Sequence, residues 1–395
     1  MAALKYWIWL TTLSGLTNRS KLLLLAHFHT PEDVYYADMD EITAVLMDRR
    51  QASCVADHSF RRTEQVLESC GRTDSFVLTM DDAAYPVRLK NIFDPPLVLY
   101  GKGSLPLFDE ELAVAVVGTR SATPYGLHAA EDLACQLAAS GALVVSGLAK
   151  GIDAAAHRGA LRAGGFTAAV LGCGVDVVYP PENRRLYEDI AATGVILSEY
   201  PPGTAADRWH FPQRNRIISG LGLAALVVEA PRHSGALITA STALEQGRDV
   251  FAVPGPIHAP NSFGCHQLIR GGAGLVSCAW DILEEYEARF PHKLRIRKTA
   301  PVQDIAEQAV PGEATPIGDI PRLDAARYQS LHENERRVLA CLATDRPRLT
   351  DDVAEAAELP VHQVLSALTV LEIEGMIRSS GPRNFVRLVK LPEEE

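Results

Sequence analysis

The chain has 395 residues, 47% of them hydrophobic and 22% charged, with a formal net charge of −11. This is ordinary globular material, long enough for two or three domains. The acidic balance argues against a protein wrapped over a wide face of duplex DNA, although a small basic pocket gripping a few phosphates is compatible with it. Seven cysteines occur without a C-x-x-C pair, and no run reaches the ~18 apolar residues of a membrane helix. A cytoplasmic protein with reduced thiols is expected, with no structural zinc and no membrane contact.

Residues Lys5 to about Gly71 read as small helices with loop breaks. Trp7–Leu10 and Leu22–Phe28 are apolar segments separated by a turn at Leu13-Ser14-Gly15-Leu16-Thr17. That pattern suits a helix-hairpin-helix or SAM-like domain over 1–74, a type of unit that serves either DNA-backbone contact or protein interaction. Residues 75–103 form a connector with turn chemistry at Asp82–Pro86 and Asp94-Pro95-Pro96. Within it Leu97–Tyr100 is a strand candidate expected at the edge of the main sheet.

From Glu111 to about Phe290, short apolar runs alternate with helical patterns. The strands are expected at Val114–Val117, Leu143–Val145, Thr167–Leu171, Val195–Leu197, Ala224–Val228 and Asp249–Val253. The intervening helices include Leu127–Ala139 and Ile152–Ala163, others led by Pro181-Glu182, Pro212 and Ser234-Gly235, and a closing helix at Asp281–Arg289. Strand, glycine turn, helix, strand is the unit of a parallel sheet, so 75–290 reads as one α/β, extended Rossmann-like doubly wound domain. Residues 291–325, proline-marked among alanine and acidic residues, read as a flexible linker. Residues 326–395 read as three helices and a β wing, a winged-helix pattern. Nine Lys/Arg and nine Asp/Glu balance between Ala326 and Lys390, and the recognition-helix candidate Val361–Glu374 holds no Lys or Arg. Protein contact is favoured there over sequence reading.

Ligands of such sheets lie beyond the carboxyl ends of the strands, where helix N-termini and loop amides favour anions. The first such loop is Gly118-Thr119-Arg120. A dinucleotide fingerprint needs glycine where Arg120 stands, and its guanidinium fills the space a dinucleotide would take while offering several phosphate donors. The second loop, Ser146 and Gly147 through Gly151, brings glycines and Lys150, which is either a phosphate contact or a solvated charge. Asp153 begins the next helix as a cap, and its i,i+4 spacing to His157 suits a structural hydrogen bond more than acid–base work. Further on, Arg208, Arg214 and Arg216 are interleaved with Trp209, His210 and Phe211. Cations among flat rings are what unpaired nucleic acid needs. Asn215 and Arg216 serve there or instead tie neighbouring loops together. Ser234 and Gly235 open a helix suited to an oxyanion. No zinc-hydrolase motif, G-x-S-x-G elbow or Walker loop is present, so no catalytic residue, metal or cofactor is expected.

These segments together resemble the DNA-processing protein A (DprA/Smf) family. The matching stretches are VGTR at 117–120, SGLAKGIDAAAHRGAL at 146–161, LGCGVDVVYPPEN at 171–183, LSEYPPG at 197–203, FPQRNRIISGL at 211–221, and VVEA at 227–230 with SGALITASTALEQGRDVFAVPG at 234–255. The resemblance implies an extended Rossmann fold, a homodimer formed through it, binding of single-stranded DNA, and loading of the RecA recombinase during natural transformation. It places the DNA pocket on Gly118, Thr119 and Arg120, on Ser146, Gly147 and Lys150, and on Arg214, Asn215 and Arg216. Gln213 stands where a lysine would serve DNA better. A distant likeness to the LOG-type phosphoribohydrolases is the alternative. Those carry P-G-G-x-G-T-x-x-E at the corresponding helix start, where this chain has Ser234-Gly235-Ala236.

Overall fold

A computed structural model describes residues 2–294, 323–344, 348–381 and 384–392. The chain divides into two compact units, Met1–Arg297 and Lys298–Glu395. Most of the expected linker, residues 295–322, lies outside the described residues.

Six helices lead the first unit: α1 (Ala2–Thr12), α2 (Asn18–Phe28), α3 (Pro31–Tyr36), α4 (Met39–Leu46), α5 (Arg49–Val55) and α6 (Arg61–Thr73). Gly15 makes the α1–α2 turn at φ +85°, a left-handed conformation open to glycine at little cost. Thr17 then caps α2 through Ser20 N–H. The next elements are β1 (Phe76–Thr79), α7 (Val87–Lys90) and β2 (Val98–Gly103). The alternating units follow: β3 (Ala113–Val117), α8 (Pro124–Ala139), β4 (Leu143–Ser146), α9 (Ile152–Arg162), β5 (Thr167–Leu171), α10 (Arg184–Thr193), β6 (Val195–Ser198), α11 (His210–Leu221), β7 (Ala224–Val227), α12 (Gly235–Glu245), β8 (Asp249–Ala252), α13 (Phe263–Arg270), β9 (Gly274–Leu275) and α14 (Trp280–Leu283).

The described strands of this unit order as β1-β2-β6-β5-β4-β3-β7-β8-β9. Every pair from β6 to β9 is parallel, and β2 joins β6 antiparallel with Tyr100 opposite Ser198. The expected edge strand is therefore present. Beyond it lies β1, whose run Phe-Val-Leu-Thr is too short to stand out within a turn-rich connector. The closing helix differs from expectation: α14 gives way after Leu283 to a tighter turn, Glu284–Tyr286. Tyr286 is thereby buried, with its hydroxyl between Leu223 O and the Asp249 carboxylate.

Both faces of the central strands are apolar, which is why they read as continuous β-branched and alanine-rich runs. One face, with Ala115, Val117 and Val145, packs under α11 and α12 through Ile217, Ile218 and Ala240. The opposite face, with Val114, Val116 and Val144, packs under α8, α9 and α14 through Leu133, Ala155 and Ile282. The N-terminal helices share a core with β2, β5 and β6, with Trp9, Leu10 and Leu24 against Tyr100, Leu171 and Ile196. No described helix is long and apolar enough to cross a membrane.

The second unit has helices Ala325–Ser330, Glu333–Cys341, Thr350–Ala357 and Val361–Ile373, with strands β10 (Arg348–Leu349), β11 (Ile377–Gly381) and β12 (Asn384–Arg387). The strands order as β10-β12-β11, all antiparallel, against a core that includes Val338, Val353, Leu368 and Ile377. The three expected helices and the wing are present, joined by a leading helix, Ala325–Ser330, and a short strand, β10, that were not expected.

Candidate functional site

From β3 the chain works outward through β4, β5 and β6, then returns to lay β7 against the other side of β3. Loops at this switch point must part, and they leave a cleft of about 400 Å³. Its lining comes from the loop after β3 (Gly118, Thr119, Arg120), the end of the loop after β4 with the start of α9 (Ala149, Asp153), one face of α11 (Arg214, Asn215) and the start of α12 (Ser234, Gly235, Thr239).

The β3 loop is held by close contacts that leave no room for further side chains. A Cβ on Gly118 would lie 2.4 Å from Ile152 Cγ1. Gly151 adopts φ +79°, and a Cβ there would meet Thr119 O at 2.4 Å. The Thr119 amide donates to Glu229 O at 2.8 Å. With the loop fixed, Arg120 stays exposed, its guanidinium 5.1 Å from the centre of the Phe211 ring. A cation over an aromatic face is ordered without being neutralised, and so remains available to an anion.

Glu229 makes the amino end of α8 poorly suited to a dinucleotide. Its buried carboxylate accepts from Thr123 N at 2.9 Å and from Thr123 Oγ1 at 2.6 Å. Gly126 makes room for it, since a Cβ there would fall 2.3 Å from Oε2. The amino end of α8, where a pyrophosphate would sit, is thus occupied by the protein's own acid. The start of α12 differs: Ser234 accepts from Ala236 N at 3.2 Å, and a Cβ on Gly235 would meet nothing within 4 Å.

Arg214 is placed otherwise than its sequence position suggests. It is only 3% exposed, and its Nη1 donates to Gly147 O at 2.7 Å and to Val170 O. Gly147 is glycine for this contact, because a Cβ there would sit 2.0 Å from Nη1. Burial works against the charge of both Arg214 and Asp153, while each supports the charge of the other. Arg214 therefore braces the base of the crevice and does not reach out of it.

Other residues expected at the pocket are engaged elsewhere, Arg216 in the loop-tying role given as its alternative. Ser146 is fully buried and donates to Val116 O at 2.6 Å, so its hydroxyl ties β4 to β3 and faces no ligand. Arg216 pairs with Asp94 at 3.1 Å and Glu199 at 2.6 Å, away from the cleft. Two helical steps turn it about 200° from Arg214, so the two cannot share a face. The cluster of three arginines and three rings is likewise dispersed. Arg208 stacks on Trp209, His210 stacks on Tyr200 with ring centres 3.9 Å apart, and only Phe211 faces Arg120. Lys150 is exposed and ion-paired with Glu182 at 2.6 Å, outside the cleft lining. The cleft thus gathers Gly118, Thr119, Arg120, Arg214, Asn215, Ser234 and Gly235, and leaves out Ser146, Gly147, Lys150, Gly151 and Arg216.

Asp153 and His157 go separate ways. Asp153 accepts from Ala149 N at 3.4 Å. His157 Nδ1 lies 2.7 Å from Thr167 Oγ1, whose proton goes to Val144 O, so the ring donates there. Burial pushes the His157 imidazole down to about 3, keeping it neutral and structural. Among the described residues no three His, Cys, Asp or Glu side chains converge as metal ligands.

Residues 76–287 match the family model for DNA recombination-mediator protein A, and residues 324–381 that for the DprA winged helix domain. The DNA processing protein DprA of Streptococcus pneumoniae is 40% identical over 288 residues, 73% of this chain and 100% of that protein. Protein Smf of Escherichia coli is 33% identical over 394 residues, 98% of this chain and 96% of that protein. The X-ray structure of DprA from Streptococcus pneumoniae superposes with a TM-score of 0.64, covering 71% of this chain and 97% of that one. With both units matched in order and the sheet superposed, the chain belongs to the DNA recombination-mediator protein A (DprA) family.

Proposed function

We propose that the protein binds single-stranded DNA at the strand-end crevice, protects it, and loads RecA recombinase onto it during natural transformation. The observation that carries this reading is the Arg120 guanidinium held over Phe211 at the mouth of a cleft that also presents Asn215 and the start of α12. A strand with unpaired bases can bring phosphates to Arg120 and α12 while its flexible backbone follows the crevice. The net charge of −11 makes such binding local. Membership of a recombination-mediator family supports the RecA step. The protein acts in the cytoplasm as a homodimer through its Rossmann-like unit. The winged helix contributes protein contact, since its helix Val361–Ile373 exposes Val361 and Leu365 and has no cation.

Titrating equal-length labelled single-stranded and duplex DNA at several salt concentrations tests the reading. Single strands are expected to bind at least about tenfold tighter, with a shallow salt slope reflecting few phosphate contacts. Equal affinity for both forms overturns it. Light scattering of the purified chain reads the dimer, and RecA filament growth on DNA pre-bound by this protein reads the loading step.

A further inference from the structure

The larger cavity of the first unit is not the crevice. A groove of about 1150 Å³ opens between the N-terminal helices and the sheet, lined by residues of α1, α2 and α6, by the β1–β2 connector, and by the loop after β6 with the opposite face of α11. Four cations line it: Arg19, Lys21, Arg62 and Arg216. So do two carboxylates, Asp94 and Glu199, and both are already engaged. Arg216 holds each of them, and Asn18 Nδ2 donates to Asp94 at 2.6 Å. None of the other three cations has a carboxylate partner among the described residues.

Lys21 is the most telling of these. Its residue is only 8% exposed, and of its three donors one is used, on Thr11 O at 2.7 Å. A buried ammonium is costly, and burial pushes Lys21 down to about 8 even though the Glu199 carboxylate offsets part of the cost. An anion in the groove adds to what Glu199, already shared with Arg216, supplies. Beside it Arg62 donates to Thr12 O and Ser14 Oγ, which aligns the guanidinium without neutralising it. Arg19 lies 5.9 Å from the centre of the Phe93 ring, and Phe93 is 87% exposed. A large apolar ring left in water beside a cation is a ready platform for a flat, anion-bearing ligand.

We propose that this groove is a second nucleotide site, holding a phosphate among Arg19, Lys21 and Arg62 with a base against Phe93. It rests on the single-strand reading in one respect: the strand reaches it across α11, which turns Arg214 and Asn215 to the crevice and Gln213 and Arg216 to the groove. Exposed Trp209, with Arg208 stacked on it, stands just before that helix. Gln213 accepts from Tyr200 OH at 2.9 Å on the groove side, so a lysine there would serve this second station and not the first.

The test uses the full chain and two exposed-residue variants, the double Arg19→Glu/Arg62→Glu and Phe93→Ala, with thermal melts as the fold control. Oligothymidylates of about 6 and about 20 nucleotides separate one station from two. The charge-reversal variant is expected to bind the longer strand about tenfold more weakly, with a salt slope lower by about 0.7, and the shorter strand as before. Phe93→Ala is expected to lose about fivefold on the longer strand alone. Thymidine 5′-monophosphate, followed by calorimetry, distinguishes a free nucleotide from a strand. If it binds wild type and Arg120→Ala but not the charge-reversal variant, while long-strand affinity is unchanged, the groove takes the free nucleotide. Unchanged binding of both probes in both variants overturns the proposal. A wild-type protein that binds neither oligonucleotide defeats the single-strand reading alone, and the monophosphate titration then decides the groove.

Discussion

The strand-end crevice and the helix Val361–Ile373 each present a helix where a nucleic acid could dock, and they are equipped in opposite ways. At the crevice a single exposed arginine is oriented by an aromatic ring and accompanied by Asn215 and the start of α12. The winged-helix candidate has no cation, and its exposed positions include Val361, Leu365 and Val370. Acidic composition therefore does not decide whether this protein meets nucleic acid. Placement of a few charges does, because phosphate affinity depends on contacts made and not on the sum over the chain.

Four experiments break or sharpen this contrast. The largest effect is expected from Arg214→Met, which removes the main cation supporting the charge of buried Asp153 and empties the contacts to Gly147 O and Val170 O. A loss of about 3–5 kcal/mol in chemical unfolding is expected, and an unchanged midpoint would mean that Arg214 is not the brace of the crevice. His157→Gln comes next. The neutral imidazole is favoured in the fold, since its folded value is about 3 against an ordinary value of 6.5. The unfolded chain therefore takes up a proton between those values, and wild type loses stability as pH falls below 6.5. Relative to the variant, that loss is about 1.4 kcal/mol per pH unit at most. Asp153, whose carboxyl is raised by burial, runs the other way in both proteins and cancels in the comparison. Parallel stability curves would show that His157 is not held neutral.

Arg120→Ala should weaken single-strand binding by about tenfold, roughly 1.4 kcal/mol, and lower the salt slope by about 0.7. No change in either would remove Arg120 from the contact. The smallest effect belongs to deletion of residues 326–395. Single-strand affinity should stay within about twofold, because residues 326–395 carry a net charge of −3 and no basic helix; a large loss would erase the contrast.

Period and turn chemistry made much of the fold legible. The buried runs at 114–117 and 224–228 are strands because their β-branched and alanine side chains suit both faces of a covered sheet. Motif residues at the ends of those strands placed Gly118, Thr119, Arg120, Ser234 and Gly235 at one crevice. The side chains on α11 were harder to read. Arg208, Arg214 and Arg216 are close in sequence, yet a helix turns each to its own neighbours. The angle between Arg214 and Arg216 was available from helical period alone. The role of Glu229 was not, because it joins the end of β7 to the start of α8, more than a hundred residues away in sequence.

The order of strands and turns, the glycines in the loops, the acidic balance and the uncharged helix of the second unit are all determined by the chain as written. Only the tertiary structure decided which cations stay available. That choice depends on what surrounds each one. Arg214 found two carbonyls, Arg216 two carboxylates and Lys150 a glutamate, whereas among the described residues Arg120 found the face of a ring and no ion pair. Such partners come from distant strands and loops, so no local pattern encodes them.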